Sequence, residues 1–122
     1  MNKIPDTIFK TFEYICNKNP AASFLISPSR GANDLKEISY KDTLEKANGI
    51  ANIFLDKQYG SNIRVATLLG STPEHYILKL ALNKIGISVV PINPDYSPDE
   101  TSYLLEDSRA TVAICSELFL SQ

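Results

Sequence analysis

Between residues 63 and 115 the chain alternates short apolar runs with helix-start signals, and that alternation limits the possible folds more than any other feature. The runs are Ile63–Leu69 (IRVATLL), Ile87–Ile92 (ISVVPI) and Thr111–Cys115 (TVAIC), each read as a short buried strand. After the first run, Ser71 and Glu74 form a capping box, with Pro73 suited to the first helical turn. The helix behind it is apolar on most sides (Ile77, Leu78, Leu80, Ala81, Leu82, Ile85) and stops at Gly86, a residue suited to a left-handed cap. Ser97, Pro98 and Glu100 repeat the device, with Tyr103, Leu104 and Leu105 as the packing face. Successive strands begin a little over twenty residues apart. That is a βαβαβ unit, whose strands must run parallel and whose crossovers are right-handed. A parallel sheet needs helices on both faces. The expected class is α/β, a partial doubly wound parallel sheet over 63–115, with Ser116-Glu117 resembling the start of a further helix.

Upstream, residues 6–18 read as a helix in which Ile8, Phe9, Phe12, Ile15 and Cys16 recur at helical spacing. Ala22–Ser27 and Lys36–Tyr40 read as two strands of a hairpin around the loop Pro28–Asp34. Ser39 and Asp42 open another helix, expected to run to about Gln58 with Leu44, Ala47, Ala51, Phe54 and Leu55 on one face and Gly60 just past its end. The chain thus divides into residues 1–62 (helix, hairpin, helix) and residues 63–122 (parallel α/β unit).

Composition removes several function classes. Twelve Lys and Arg stand against 14 Asp and Glu, a net charge of −2. Nucleic-acid-binding domains usually carry a basic stripe, so no nucleic-acid partner is expected. No apolar run approaches the ~20 residues of a membrane span. The first twenty residues lack a signal-peptide core, and the expected location is cytoplasmic. Cys16 and Cys115 lie far apart without a CxxC, and His75 is the only histidine, so neither a zinc site nor a disulfide framework is expected.

Residue chemistry alone points to no catalytic or metal site. Leu69-Gly70-Ser71-Thr72 joins a strand end to a helix start, a place where α/β sheets hold anions. It lacks the glycine pair of GxGxxG and the GK[ST] of a P-loop, so a structural turn and cap is the expectation. Asn48 lies on an apolar stripe and should bond to a neighbouring loop. His75, in a first helical turn, is expected to be solvated, so that His75→Ala costs within ~0.5 kcal/mol. Gly86→Val should cost ~1 kcal/mol or more, because the helix-to-strand step needs a positive φ. Asp95, Asp99 and Glu100 surround a turn and a helix N-terminus, where capping explains them. Cys115 reads as a buried small residue.

Three stretches in order resemble motifs of the adenylate-forming superfamily, which contains AMP-forming acyl-CoA synthetases, nonribosomal peptide synthetase adenylation domains and luciferases. Residues 38–51 are similar to its opening motif: Ser39, Tyr40, Ala47, Asn48 and Ala51 match, Asp42 stands for Glu, and Thr43 departs from Leu. Residues 82–96 resemble the second motif through Lys84, Gly86, Pro91 and Asn93, with Ile85 where Ala is usual. Leu105-Glu106-Asp107-Ser108 matches the sequence that precedes the next strand.

The resemblance implies an enzyme that joins a carboxylate to the α-phosphate of Mg·ATP, releases pyrophosphate and passes the acyl group to a thiol, with ATP, Mg2+ and CoA as cofactors of the parent enzyme. The family's Gly/Ser/Thr-rich phosphate loop and catalytic Lys do not occur in residues 1–122. The stretch is therefore expected to be an incomplete N-terminal subdomain, a scaffold that binds none of those cofactors alone. It should be covered by the remainder of the parent enzyme or by self-association through uncovered apolar surface. Ser39, Tyr40, Ala47, Asn48, Lys84, Gly86, Pro91, Asn93 and Asp107 are the motif residues expected to serve that scaffold. Asn93, where peptide-synthetase domains often carry Asp, favours the acyl-CoA synthetase branch. The alternatives are an amino-acid adenylation domain of a nonribosomal peptide synthetase and a stand-alone α/β binding module.

Overall fold

A computed structural model describes residues 7–28, 35–70 and 72–115. Thr7 opens the first helix, α1 (Ile8–Lys18), by accepting the Lys10 N–H on its side chain. The buried stripe of α1 is Phe9, Phe12 and Cys16. Ile8 and Ile15, expected on that stripe, are instead 71% and 37% exposed. β1 (Ser23–Pro28) and β2 (Leu35–Ser39) form the expected antiparallel hairpin, with Ile26 opposite Glu37. Most of the loop between them, residues 29–34, lies outside the described residues, as does the helix start at 116–117.

Ser39 caps α2 (Tyr40–Asp56), accepting the Asp42 N–H at 3.1 Å. The helix ends at Asp56, earlier than the expected Gln58, and its reversal uses Gln58 rather than Gly60. Gln58 has φ 62°. The Tyr59 N–H reaches Phe54 O and the Gln58 N–H reaches Leu55 O, the pair of bonds that closes a Schellman turn. The Phe54 and Tyr59 rings, 5.9 Å apart, add the apolar contact that accompanies such turns. This geometry turns Leu55 outward, 51% exposed, against the expected packing role.

The second half is the parallel unit. β3 (Arg64–Leu68), β4 (Ser88–Pro91) and β5 (Val112–Cys115) form a three-stranded sheet in the order β4-β3-β5, both pairings parallel. Val65 lies opposite Val89 on one side and Val112 on the other. The ladder extends past the strand ends through Ile92 N–H to Thr67 O and Thr111 N–H to Arg64 O. α3 (Pro73–Lys84) and α4 (Pro98–Ser108) are the crossovers. The chain steps from β3 to β4 in one direction and back past β3 to β5 in the other, so right-handed crossovers place the two helices on opposite faces.

α3 is the hub of the molecule. Ile77, Leu80 and Ala81 join Phe9, Phe12, Ile38, Ala47 and Ala51 in one apolar cluster. Leu78 and Leu82 join Phe54, Val65 and Ile87 in another. A helix packed between a sheet and two other helices must be apolar over most of its circumference, and only a narrow strip with Glu74, Tyr76 and Lys84 is left to solvent. The cap of α3 is Thr72, which accepts the His75 N–H; Ser71, expected in that role, lies outside the described residues. At the other end Gly86 has φ +75°, and Ile87 N–H to Leu82 O with Gly86 N–H to Asn83 O closes a second Schellman turn, as expected. α4 carries the expected Ser97 cap but no buried residue, and Tyr103, expected to pack, is 66% exposed.

Candidate functional site

The carboxyl ends of parallel strands are where α/β sheets present ligand-binding loops, because successive strands deliver their turns to one edge. Here that edge bears a cleft of about 550 Å³. Leu69 and Gly70 enter it from the end of β3, His75, Tyr76 and Lys79 from α3, and Pro91 to Asp95 from the β4–α4 loop. The loop wall is held by Asn93. Its Oδ1 accepts the Asp95 N–H at 2.9 Å and its carbonyl accepts the Tyr96 N–H at 3.1 Å.

His75 is buried, 8% exposed, which corrects the expectation of a solvated side chain. It sits at the sheet end of α3, so the face opposite solvent meets β3. Nδ1 lies 3.3 Å from Gly70 O, and a carbonyl only accepts, so Nδ1 carries the proton. Nε2 is then the acceptor for the Thr67 hydroxyl at 3.0 Å, and Thr67 is itself fully buried. Burial and, secondarily, the Lys79 ammonium push the imidazole pKa below 6.5, against the opposing pull of the Gly70 carbonyl. Both ring nitrogens are occupied, so the neutral ring has no free lone pair for a substrate proton. His75 is a structural group of the cleft wall.

The motif residues fall in several separate places. Ser39 is the α2 cap. Tyr40 stacks on Phe12 at 5.7 Å and meets Phe24 at 5.0 Å. Ala47 is fully buried and Gly86 is the α3 reversal. Asn48 bonds as a scaffold residue, though to a helix rather than a loop: the Lys84 ammonium donates to its Oδ1 at 2.7 Å. That ammonium also lies 5.4 Å from the Phe9 ring, and Asn83 Oδ1 accepts the Phe9 N–H at 2.8 Å. Lys84 and Asn83 thus tie α2 and α1 to the end of α3. Pro91 ends β4, and Asp107 is exposed on the last turn of α4.

Thr67, Tyr76 and Lys79 were not signalled by sequence spacing; the one available cue was a hydroxyl in the middle of the apolar run IRVATLL. Among the described residues no group of three His, Cys, Asp or Glu side chains comes together as metal ligands. No described helix is long and apolar enough to cross a membrane. Cys16 is buried and Cys115 half-buried, and both are free thiols.

The N-terminal subdomain of Klebsiella oxytoca NpsA, solved in complex with 3-hydroxyanthranilyl-AMSN, matches the fold with a TM-score of 0.82 at 24% identity, over 92% of this chain and 27% of that one. Tyrocidine synthase 2 of Brevibacillus parabrevis is 32% identical over 108 residues, 88% of this chain and 3% of the relative. 4-Chlorobenzoate–CoA ligase of an Arthrobacter species is 30% identical over 107 residues, 87% of this chain and 20% of the relative. The chain thus spans a small part of the length of these relatives. The family described as AMP-binding enzyme matches from residue 12 to residue 122, through the hairpin, both Schellman turns and all three parallel strands. The chain belongs to the AMP-binding enzyme family.

Proposed function

We propose that residues 1–122 are the opening subdomain of an enzyme that activates a carboxylic acid with ATP and passes the acyl group to a thiol, and that they supply scaffold rather than chemistry. A carboxylate oxygen attacks the α-phosphorus, pyrophosphate leaves, and the thiol then displaces AMP. The carrying observation is the family match over 12–122 on a stretch without phosphate loop or catalytic Lys. The bonding of the motif residues supports it: Asn48, Lys84 and Asn93 are each engaged with protein partners. In this reading residues 1–62 form the helical and hairpin layer, and residues 63–122 the start of the main sheet. Ser39, Tyr40, Ala47, Gly86, Pro91 and Asp107 serve the same scaffold, and ATP and Mg2+ bind farther along the parent chain. A cytoplasmic location suits an enzyme drawing on ATP.

CoA is the acceptor in the first reading, supported by the likeness to 4-chlorobenzoate–CoA ligase. A carrier-bound thiol fed by an amino-acid adenylation domain is the second, favoured by the likeness to tyrocidine synthase 2. Asn93 does not separate them. Its side chain accepts a backbone N–H, which an Asp carboxylate would do equally well.

Pyrophosphate exchange tests the reading. The parent enzyme should exchange pyrophosphate into ATP in the presence of its acid, and residues 1–122 alone should show none with any carboxylic acid. Exchange by the isolated stretch would overturn the scaffold role. Transfer of the activated acid to CoA, set against transfer to a phosphopantetheinyl carrier, separates the two acceptors.

A further inference from the structure

Beside β4, α3 presents one flank to an open groove of about 740 Å³, a size typical of small-molecule sites. Its walls are mostly apolar: Leu80 from α3, Ile87 and Val89 along β4, and Ile8 and Phe24 from α1 and β1. Of the residues that line it, Lys79 alone is charged at neutral pH. Tyr76, Lys79 and Pro91 also line the cleft at the carboxyl end of the sheet, so they mark the point where the apolar groove opens into a polar one. We propose that this groove binds a soluble single-chain amphiphile with one negative charge, its head group on Lys79 and its alkyl tail along Leu80, Ile87 and Val89.

Charge and length select that ligand. Among the described residues the Lys79 ammonium lies 5.6 Å from the Tyr76 ring and has no carboxylate within ion-pair distance. An ammonium presents three N–H donors, and an anionic oxygen satisfies them more fully than a ring face does. Helical side chains lean toward the helix N-terminus, which carries this ammonium toward Tyr76 and Pro91. Asp95, in the adjoining cleft, repels negative charge, so a singly charged head is favoured over a doubly charged phosphate. From Tyr76 to Asn83 the helix rises about 10 Å, which an extended alkyl chain spans with about eight carbons. No charge meets the tail at that end, where Asn83 Oδ1 accepts the Phe9 N–H at 2.8 Å. The outer edge of β4 ends in Pro91, which has no N–H, so it offers a peptide strand little main-chain bonding and suits a ligand held by side chains.

Decanoate is the probe, titrated below its micelle concentration into the isotope-labelled 122-residue chain at about 20 μM, so that association between copies is minimised. The amides of Leu80, Ile87 and Val89 should shift saturably while those of α4 stand still. Affinity should rise about twofold per added methylene from butanoate to octanoate, as for half-buried carbons in an open groove. Decanoate should bind about three- to fivefold tighter than decanol or decyltrimethylammonium. Decyl phosphate should bind no tighter than decanoate. Lys79→Gln should abolish the preference for decanoate over decanol and leave decanol binding as it was. Equal binding of decanol and decanoate by the unmodified chain overturns the proposal, and so does tighter binding of decyl phosphate. The absence of a saturable shift with decanoate, or a shift centred on α4, overturns it as well. The ligand series is read on the unmodified chain, so the outcome does not depend on how the variant folds. None of these readouts needs ATP or turnover, so they stand apart from the proposed enzymatic role.

Discussion

His75 binds its proton less tightly in the folded chain than in the unfolded one, because burial and Lys79 both oppose the charge. Between the folded pKa and the ordinary value of 6.5 the unfolded chain holds more protons, so the stability this residue contributes is complete above pH 6.5 and falls as pH drops through the folded pKa. Urea midpoints followed from about pH 7 to about pH 5 should decline more steeply for the native chain than for His75→Gln. Parallel declines would remove the linkage. His75→Ala should cost about 2 kcal/mol or more, since it strands the Thr67 hydroxyl and the Gly70 carbonyl. That overturns the sequence-based ranking in which Gly86→Val far outweighs it. Gly86→Val still costs about 1–3 kcal/mol. Its origin is backbone strain at φ +75°, since an added Cβ would meet only Ser61 Cβ at an ordinary 3.8 Å. Thr43 is the opposite case. Its hydroxyl is fully buried without a partner among the described residues, at the position where the family motif has Leu. Thr43→Val should therefore stabilise by about 1 kcal/mol, read as a raised urea midpoint at unchanged slope.

The elements most legible in the sequence were those specified by local chemistry. Ser39, Ser97 and Gly86 act through their immediate neighbours, so their roles could be read without knowing the fold. Pro73 carried more information than its reading used. Proline at the first helical position makes residue 72 the cap, and Thr72 holds that place. What stayed hidden depends on which layers an element separates. A lone helix pattern assigns Tyr103 to packing and His75 to solvent, yet α3 lies between a sheet and two helices while α4 buries none of its residues, and the two roles are reversed. The α2 reversal was hidden differently, because its left-handed position is Gln58 and not a glycine. Gln58→Gly should therefore stabilise by about 0.5–1 kcal/mol by relieving that backbone. The tie between α2 and α3 is testable in the same terms. A double-mutant cycle on Asn48→Ala and Lys84→Met should give a coupling of about 0.5–1 kcal/mol, and additive losses would mean that the 2.7 Å contact contributes nothing.

Across the whole molecule, apolar surface is distributed unevenly. A groove of about 740 Å³ runs along the outer side of β4, between α3 and α1, with Ile8, Phe24, Tyr76, Leu80, Ile87 and Val89 in its walls. Ile8 is 71% and Tyr76 50% exposed. A second groove of about 450 Å³ shares Ile8, Phe24 and Leu80 with the first and continues along α1 to Ile15. Contiguous apolar surface of this kind promotes association, whereas scattered exposed side chains do not. Strand addition at β4 is the less favourable route. The strand has four residues and ends in Pro91, which has no N–H to donate. The 122-residue chain on its own should therefore self-associate through side-chain burial in the groove at ~100 μM, as measured by sedimentation. Ile8→Lys places a charge where the two grooves meet. Because Ile8 lies outside the buried core, this variant should shift the chain toward monomer and reduce hydrophobic-dye binding while leaving its unfolding free energy within about 0.5 kcal/mol of that of the unmodified chain. A dye-silent monomer for the unmodified chain at the same concentration would mean that these grooves are too shallow to drive association, and the stand-alone module would then become the better description of the stretch.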